Sequence, residues 1–433
     1  MAAKPLPMFD TYKKFLDLNF NNLSVELPVV KDYLTSFPEN LQAIDGYKAV
    51  RGFLRSYAGN EATFSSYRTH VERMLLWSLL VAKKPILELT RSDAERFMEF
   101  CLNPLPEWIG PIVKSRFRRI GGRKAAETDT FEINDAWRPF NATHSKSSLK
   151  IAEEQNREVE YKPYKMSQGS VAQVFAVCSS FFKYAADEDL IEKKNPVQAI
   201  KQKSKYKQRN TDMSSGRALT PFQWDYVLET AETMANESSI HERTLFILAT
   251  AFSMYLRVSD LVGRDNWSPL MNDFRKDNDG NWWYHVVGKG NKAAKISVRD
   301  DYLNYLKRYR AYLNLTPPLP LPDDKTPLLK TLTGRSGLSD RHIRLLLQEV
   351  FDKALEQMKK EGRTEDDVAS LRSASLHWLR HTSATFDAPH RDTKDLQADL
   401  RHESMKTTLD TYYHTEDGKR ARSVKGLGLK DRG

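Results

Sequence analysis

Residues 376–414 read LHWLRHTSATFDAPHRDTKDLQADLRHESMKTTLDTYYH and hold, in order, His377, Arg380, His402 and the adjacent pair Tyr412–Tyr413. His377 and Arg380 are three apart, a spacing that places both on one face of a helix. A guanidinium offers a planar fork matched to phosphate oxygens. An imidazole moves protons near neutral pH, and a phenol can act as a covalent nucleophile. Together these types suit the handling of a phosphodiester without a metal. Each alone is more often a surface feature, so the weight falls on what the rest of the chain supplies.

Upstream, Arg257 stands in YLRVSDLV at the end of an apolar helical run, and Asp260 follows one turn later, placed to hold its guanidinium. Lys289 stands in VVGKGNK between two strand-like runs, 282–287 and 295–298, with Lys292 and Lys295 as rivals. The order Arg257, Lys289, His377-x-x-Arg380, His402, Tyr412 resembles the tyrosine recombinase (phage integrase) family of site-specific DNA recombinases. The resemblance covers residues 218–415 well and the preceding helical region more loosely.

The resemblance implies that a tyrosine attacks the scissile phosphate to give a 3′-phosphotyrosine and a free 5′-hydroxyl. Arg257 and Arg380 match the two family arginines, and Lys289 matches the β-turn lysine that protonates the leaving oxygen. His377 takes an acid–base role on the attacking phenol, and His402 donates to a non-bridging oxygen. No metal or nucleotide cofactor is implied, because the phosphotyrosine conserves the bond energy. The chain departs from the family at two places. Arg401 stands where glycine usually precedes the second histidine, and is expected to contact DNA. Tyr412 is ten residues beyond His402 where nine is usual. It keeps a Tyr-x-His pattern with His414, which favours it as nucleophile over Tyr413.

The expected fold is mainly α (α+β): a helical SAM-like core-binding domain and a C-terminal catalytic domain of helices with a small antiparallel sheet. Residues 1–45 read as a small accessory helix or a loosely packed arm, 46–200 as the helical DNA-binding domain, 218–415 as the catalytic domain and 416–433 as a tail. In the helical domain, Tyr47, Val50, Phe53 and Leu54 recur at helix spacing. Thr63 is the expected N-cap of the next helix, Thr90 opens another, and a further helix runs over 170–186. Thr220-Pro221 pairs a cap with proline at the first helical position. The helical pattern lapses over 103–166, a basic insertion in which aromatics interleave Lys114, Arg116, Arg118 and Arg119. That mixture suits phosphate contacts, although a solvated insertion would look the same. The linker 201–217, KQKSKYKQRNTDMSSGR, cannot bury a core, and its Lys201, Lys203, Lys205, Lys207 and Arg209 are placed to follow a phosphate backbone.

The chain has 433 residues and a net charge of +10, which favours a polyanionic partner. Cys101 and Cys178 fall in apolar helical contexts and read as buried hydrophobes of a reducing compartment. No Cys/His spacing suggests zinc, and no apolar run approaches a membrane span. The expected location is cytoplasmic, bacterial or phage-like. By resemblance the partners are double-stranded DNA with a specific recombination site and three further copies, a tetramer on DNA from a monomer or weak dimer. Accessory directionality or DNA-bending factors fit the same picture, and the tail from Gly418 would dock on a neighbouring protomer. Two other readings share parts of this pattern. One is a type IB topoisomerase or telomere resolvase, and the other a catalytically silent DNA-binding regulator.

Overall fold

The computed structural model describes residues 4–19, 23, 27–57, 59–119, 131–142, 144–157, 164–192, 194–200, 206, 218–264, 266–288 and 291–412. The chain divides into two units, Met1–His144 with Asn156–Asp212, and Ser145–Gln155 with Met213–Gly433. Both are mainly helical; the small antiparallel sheet of the second was expected from sequence, and the short strand pairs of the first were not.

In the first unit, helices α1 (Tyr12–Asp17), α2 (Pro28–Thr35), α3 (Ala43–Arg55), α4 (Glu61–Trp77) and α5 (Arg91–Leu102) precede the insertion. The stripe Tyr47, Val50, Phe53, Leu54 is buried on α3. Asn60, not Thr63, caps α4: its carboxamide accepts the Thr63 N–H at 2.9 Å, one of the donors that a helix start leaves unsatisfied. Thr90 caps α5 in a reciprocal box with Asp93, as expected. Residues 4–19 carry the short helix α1 and pack into the unit. Met8, Phe9 and Phe15 are buried in the core, and the Phe9 ring stacks on Tyr47 at 4.7 Å. The buried Glu72 carboxylate accepts the N–H groups of Met8 at 2.8 Å and Phe9 at 3.1 Å.

The insertion adds two short pairs, β1 (Ile109–Gly110) with β4 (Phe140–Asn141) and β2 (Phe117–Arg119) with β3 (Phe131–Ile133). Its basic residues do not behave alike. Lys114 and Arg118 are exposed, although Arg118 donates to Asn134 Oδ1 at 2.6 Å. Arg116, expected at phosphate, pairs with buried Glu72 and covers the Trp137 ring at 5.1 Å. A buried carboxylate holds its ionised form only with such a partner. Arg116→Ala is therefore expected to lower the stability of this unit by roughly 3 kcal/mol, the low end for breaking a buried pair, because Glu72 keeps its backbone donors. Denaturant midpoints measure this, and a change confined to DNA affinity would contradict it. Helix α7 (Gln168–Asp187) closes the unit, with Val174, Cys178, Phe181 and Phe182 buried. From the linker only Tyr206 is described, and it is buried. Lys201, Lys203, Lys205, Lys207 and Arg209 lie outside the described residues.

In the second unit, α8 (Pro221–Glu237) begins at the expected Thr220 cap and α9 (Glu242–Ser253) is buried over most of its length. A three-stranded antiparallel sheet follows: β5 (Phe274–Lys276), β6 (Trp282–Val287) and β7 (Ala293–Ser297). Tyr284 and Val286 point inward from β6, at the period of two that a half-buried strand requires. Helices α10 (Val258–Val262), α11 (Tyr302–Tyr312), α12 (Asp340–Lys360), α13 (Glu365–Ser373), α14 (Leu376–Asp387), α15 (Thr393–Leu400) and α16 (Met405–Tyr412) complete it. One more helix, α6 (Lys146–Glu154), comes from the insertion. Its Lys146 donates to the Ala374 carbonyl, Lys150 pairs with Asp352, and Glu154 binds Arg372 at 3.1 Å and Lys359 at 2.7 Å. Reading all of 103–166 as part of the helical domain therefore differs from this packing. Complementary charges, invisible in a nine-residue amphipathic segment, place α6 in the second unit. Among the described residues no helix is long and apolar enough to cross a membrane.

Candidate active site

The site is assembled around the last carbonyl of α15. A helix C-terminus leaves carbonyls without intrahelical partners and carries partial negative charge. Two guanidiniums converge there: Arg380 from α14 donates to Leu400 O, and Arg257, just ahead of α10, reaches the same oxygen at 3.4 Å. Arg380 is buried and also donates to Tyr255 O at 2.5 Å. Tyr255 adopts a left-handed backbone (φ 52°), which aims that carbonyl. Its phenol binds Asp387, at the far end of α14, and accepts from Arg391 at 3.0 Å. The residue before Leu256-Arg257 thus ties the Arg257 segment to the Arg380 helix at two points. Sequence reading missed Tyr255, because nothing in its identity signals a left-handed turn.

Asp260 is fully buried and does not hold the Arg257 guanidinium as expected. Its carboxylate accepts the Arg257 backbone N–H at 2.8 Å and forms a bidentate pair with Arg401. Arg401 occupies the left-handed C-cap of α15 (φ 53°, ψ 46°), the conformation that glycine adopts without steric cost. Its guanidinium, expected at DNA, here pairs with Asp260 inside the unit. Burial and the neighbouring Arg401 lower the pKa of Arg257, and burial together with Arg257 pushes that of Arg380 down to about 10.

Beyond Arg401 the chain returns through α16. His402 Nδ1 meets Thr408 Oγ1 at 2.9 Å, and its ring lies parallel to Tyr412, 6.0 Å between centroids. Tyr412 is buried with Tyr255, Ala384, Ala388, Leu396 and Leu400. Burial raises its pKa, while the charge and hydrogen bond of Arg380, and then the charge of Arg257, act to lower it. His377 is exposed on α14, and its Nε2 lies 2.9 Å from His381 Nε2. The His381 ring in turn approaches Tyr412 at 5.7 Å. His381 was not singled out from sequence, although the four-residue spacing from His377 puts it on the same helix face.

The described geometry thus gathers Arg257, Arg380, His402 and Tyr412, with His377 one imidazole away. Lys289 and Tyr413 lie outside the described residues. Of the rival lysines, Lys292 is exposed and Lys295 covers the Trp283 ring at 4.0 Å. Among the described residues no cluster of three His, Cys, Asp or Glu could hold a metal ion. Two cations and an imidazole beside a buried phenol make surroundings that favour an added oxyanion.

Burial, then Arg380 and Arg257, push His402 from its ordinary 6.5 down to about 4. Between these values the unfolded chain binds a proton that the folded chain does not. The stability associated with neutral His402 is therefore complete above about pH 6.5 and is lost as pH falls toward about 4. The His402 ring should show neutral nitrogen shifts by NMR at pH 5. His402→Gln should flatten part of the acid limb of stability, leaving the part due to His70, which burial also lowers to about 4. A His402 that charges near pH 6.5 would contradict this.

Comparison with solved structures gives the fold. A complex titled as the XerH site-specific recombinase bound to palindromic difH substrate, post-cleavage, matches with a TM-score of 0.51 at 12% identity, over 98% of this chain and 99% of that one. The Tn1549 transposon integrase in complex with circular intermediate DNA gives a TM-score of 0.49 at 16% identity, over 87% and 98%. A lambda integrase dimer bound to a COC′ core site gives 0.46 at 12%, over 95% and 87%. No family model matches the sequence, and no curated protein matches it. The fold, resting on the first of these structures, is that of the tyrosine recombinases.

Proposed function

We propose that this chain, built on the tyrosine recombinase fold, is a site-specific DNA strand transferase that cleaves and rejoins DNA through a phosphotyrosine. The observation that carries the reading is the meeting of the Tyr412 phenol with Arg380 and Arg257 at one helix end. A phenol hydrogen-bonded to Arg380 and near Arg257 is placed to meet a phosphate, since the same cations stabilise the phosphorane, and because burial leaves its pKa raised it needs a base to take its proton.

In the proposed step the Tyr412 oxygen bonds to phosphorus and the 5′-oxygen of the next nucleotide leaves. The phenolic proton passes to the histidine side of the site, toward His377. Lys289 protonates the departing 5′-oxygen, a role taken from the family resemblance. Arg257, Arg380 and neutral His402 donate to the non-bridging oxygens, each worth about 3 kcal/mol by analogy with single oxyanion-hole donors. A 5′-hydroxyl of a second strand then attacks the phosphotyrosine and restores the phosphodiester. Paired sites, four protomers and a four-way junction would follow, serving integration, excision or resolution of a mobile element.

The test is covalent trapping on nicked duplexes drawn from the DNA flanking its own gene. A protein–DNA adduct that resists SDS should form in EDTA. Cleavage lost in EDTA and restored by magnesium would rule out the proposed chemistry.

A further inference from the structure

His381 has no role in the reading above, yet it stands between the exposed His377 and the buried Tyr412. The two imidazoles face each other through Nε2, 2.9 Å apart, with ring planes at 90° and centroids 4.5 Å apart. At that distance one nitrogen carries the hydrogen and the other presents its lone pair. A neutral pair therefore contains one ring protonated at Nε2 and one at Nδ1. An exposed histidine by itself would exchange freely between the two tautomers.

We propose that His381 is the positioning residue that couples its tautomer to that of His377, so that the two rings act as one acid–base unit holding a single extra proton. The proposal deepens the strand-transfer reading and rests on it for its catalytic meaning. One added proton is shared in a charge-assisted hydrogen bond. A second would turn two N–H groups toward each other and set two positive rings side by side. Arg380, next to His381 on the same helix, adds a further positive charge that disfavours it, while the Tyr412 ring on α16 faces His381 at 5.7 Å and brings no charge of its own when neutral. The pair should therefore take up its protons in two well-separated macroscopic steps. In strand transfer it would receive the single proton that leaves the Tyr412 oxygen, and it has room for one.

Two measurements on the full-length protein test this. Imidazole nitrogen NMR on the DNA-free chain should show the two rings in opposite tautomers and the pair titrating in two steps separated by more than about one pH unit. In His381→Phe, which leaves no partner to share its proton, His377 should titrate in a single step. Adduct formation on the nicked duplexes should fall roughly 10- to 100-fold at neutral pH in His381→Phe, short of the loss expected for an acid–base residue itself. Its pH profile should shift as well. His381→Gln, which still offers a hydrogen-bonding side chain, should recover part of the rate. An ordinary single titration of His377 in the wild type, or an unchanged pH profile in both variants, would overturn the proposal while leaving covalent cleavage intact. If the wild type forms no adduct at all, strand transfer fails, and the NMR titration still decides the imidazole pair.

Discussion

Tyr412→Phe is expected to abolish the covalent adduct while leaving the fold and DNA binding in place. The substitution removes one hydroxyl and keeps the ring in its packing with Tyr255, Ala384, Ala388, Leu396 and Leu400. The hydrogen bond lost to Arg380 is worth about 1–3 kcal/mol because it involves a charged group. Arg380 retains its two carbonyl partners, so the guanidinium is not left bare. The rate should fall by at least about 10⁴-fold, since no other group replaces a missing nucleophile. Tyr413→Phe should keep the adduct. Tyr412 is the phenol that meets Arg380, and it is the one that keeps the Tyr-x-His pattern with His414. Peptide mapping of the trapped adduct decides. Phosphate on Tyr413 would refute Tyr412 as nucleophile.

Asp260→Ala should produce the largest stability loss in the second unit, about 3–5 kcal/mol, the range for leaving a buried partner charge uncompensated. The carboxylate is fully buried, and Arg401 is its bidentate partner. Without it, Arg401 keeps a buried guanidinium together with a left-handed backbone that costs a non-glycine residue roughly 1–3 kcal/mol. Adding Arg401→Gly removes both burdens, so the double variant should be more stable than Asp260→Ala alone. Denaturant unfolding of the four proteins in the cycle measures the coupling. Additive effects within about 0.5 kcal/mol would show that the pair does not hold the α10–α15 junction.

The same junction shows what the sequence could and could not reveal. Arg257 was legible because it ends an apolar helical run, and Arg380 because His-x-x-Arg places it on the face of His377. Asp260 was read as a partner for Arg257 because three residues separate them. The guanidinium that actually reaches it comes from Arg401, 141 positions away, and only the fold brings it there. Arg116 looked like a phosphate ligand because its local neighbourhood is basic. The buried acid that claims it, Glu72, lies 44 residues upstream. Helix capping at Thr90 and Thr220 was readable because those contacts span three residues. Tyr255 and His381 were missed for other reasons. A positive φ at a tyrosine leaves no pattern in composition or spacing, whereas the four-residue step from His377 to His381 was a signal that went unread beside the His-x-x-Arg motif. Lys289, Tyr413 and the cations of 201–217 lie outside the described residues, so their assignments rest on the sequence.

Helix α6 bears on how the protein can be cut. A fragment starting at Ala218, just past the basic linker, would lack Lys146, Lys150 and Glu154. Asp352 would then keep Gln348, and buried Arg372 would keep Glu365. The Ala374 carbonyl, two residues ahead of the helix carrying His377 and Arg380, would lose its lysine donor. Such a fragment is an incomplete body with one binding groove for its own missing helix. A synthetic peptide covering 145–155 should dock there and raise its melting temperature. Proteolytic nicking within 201–217 should accordingly leave two pieces that co-elute, held together by the helix that one lends to the other.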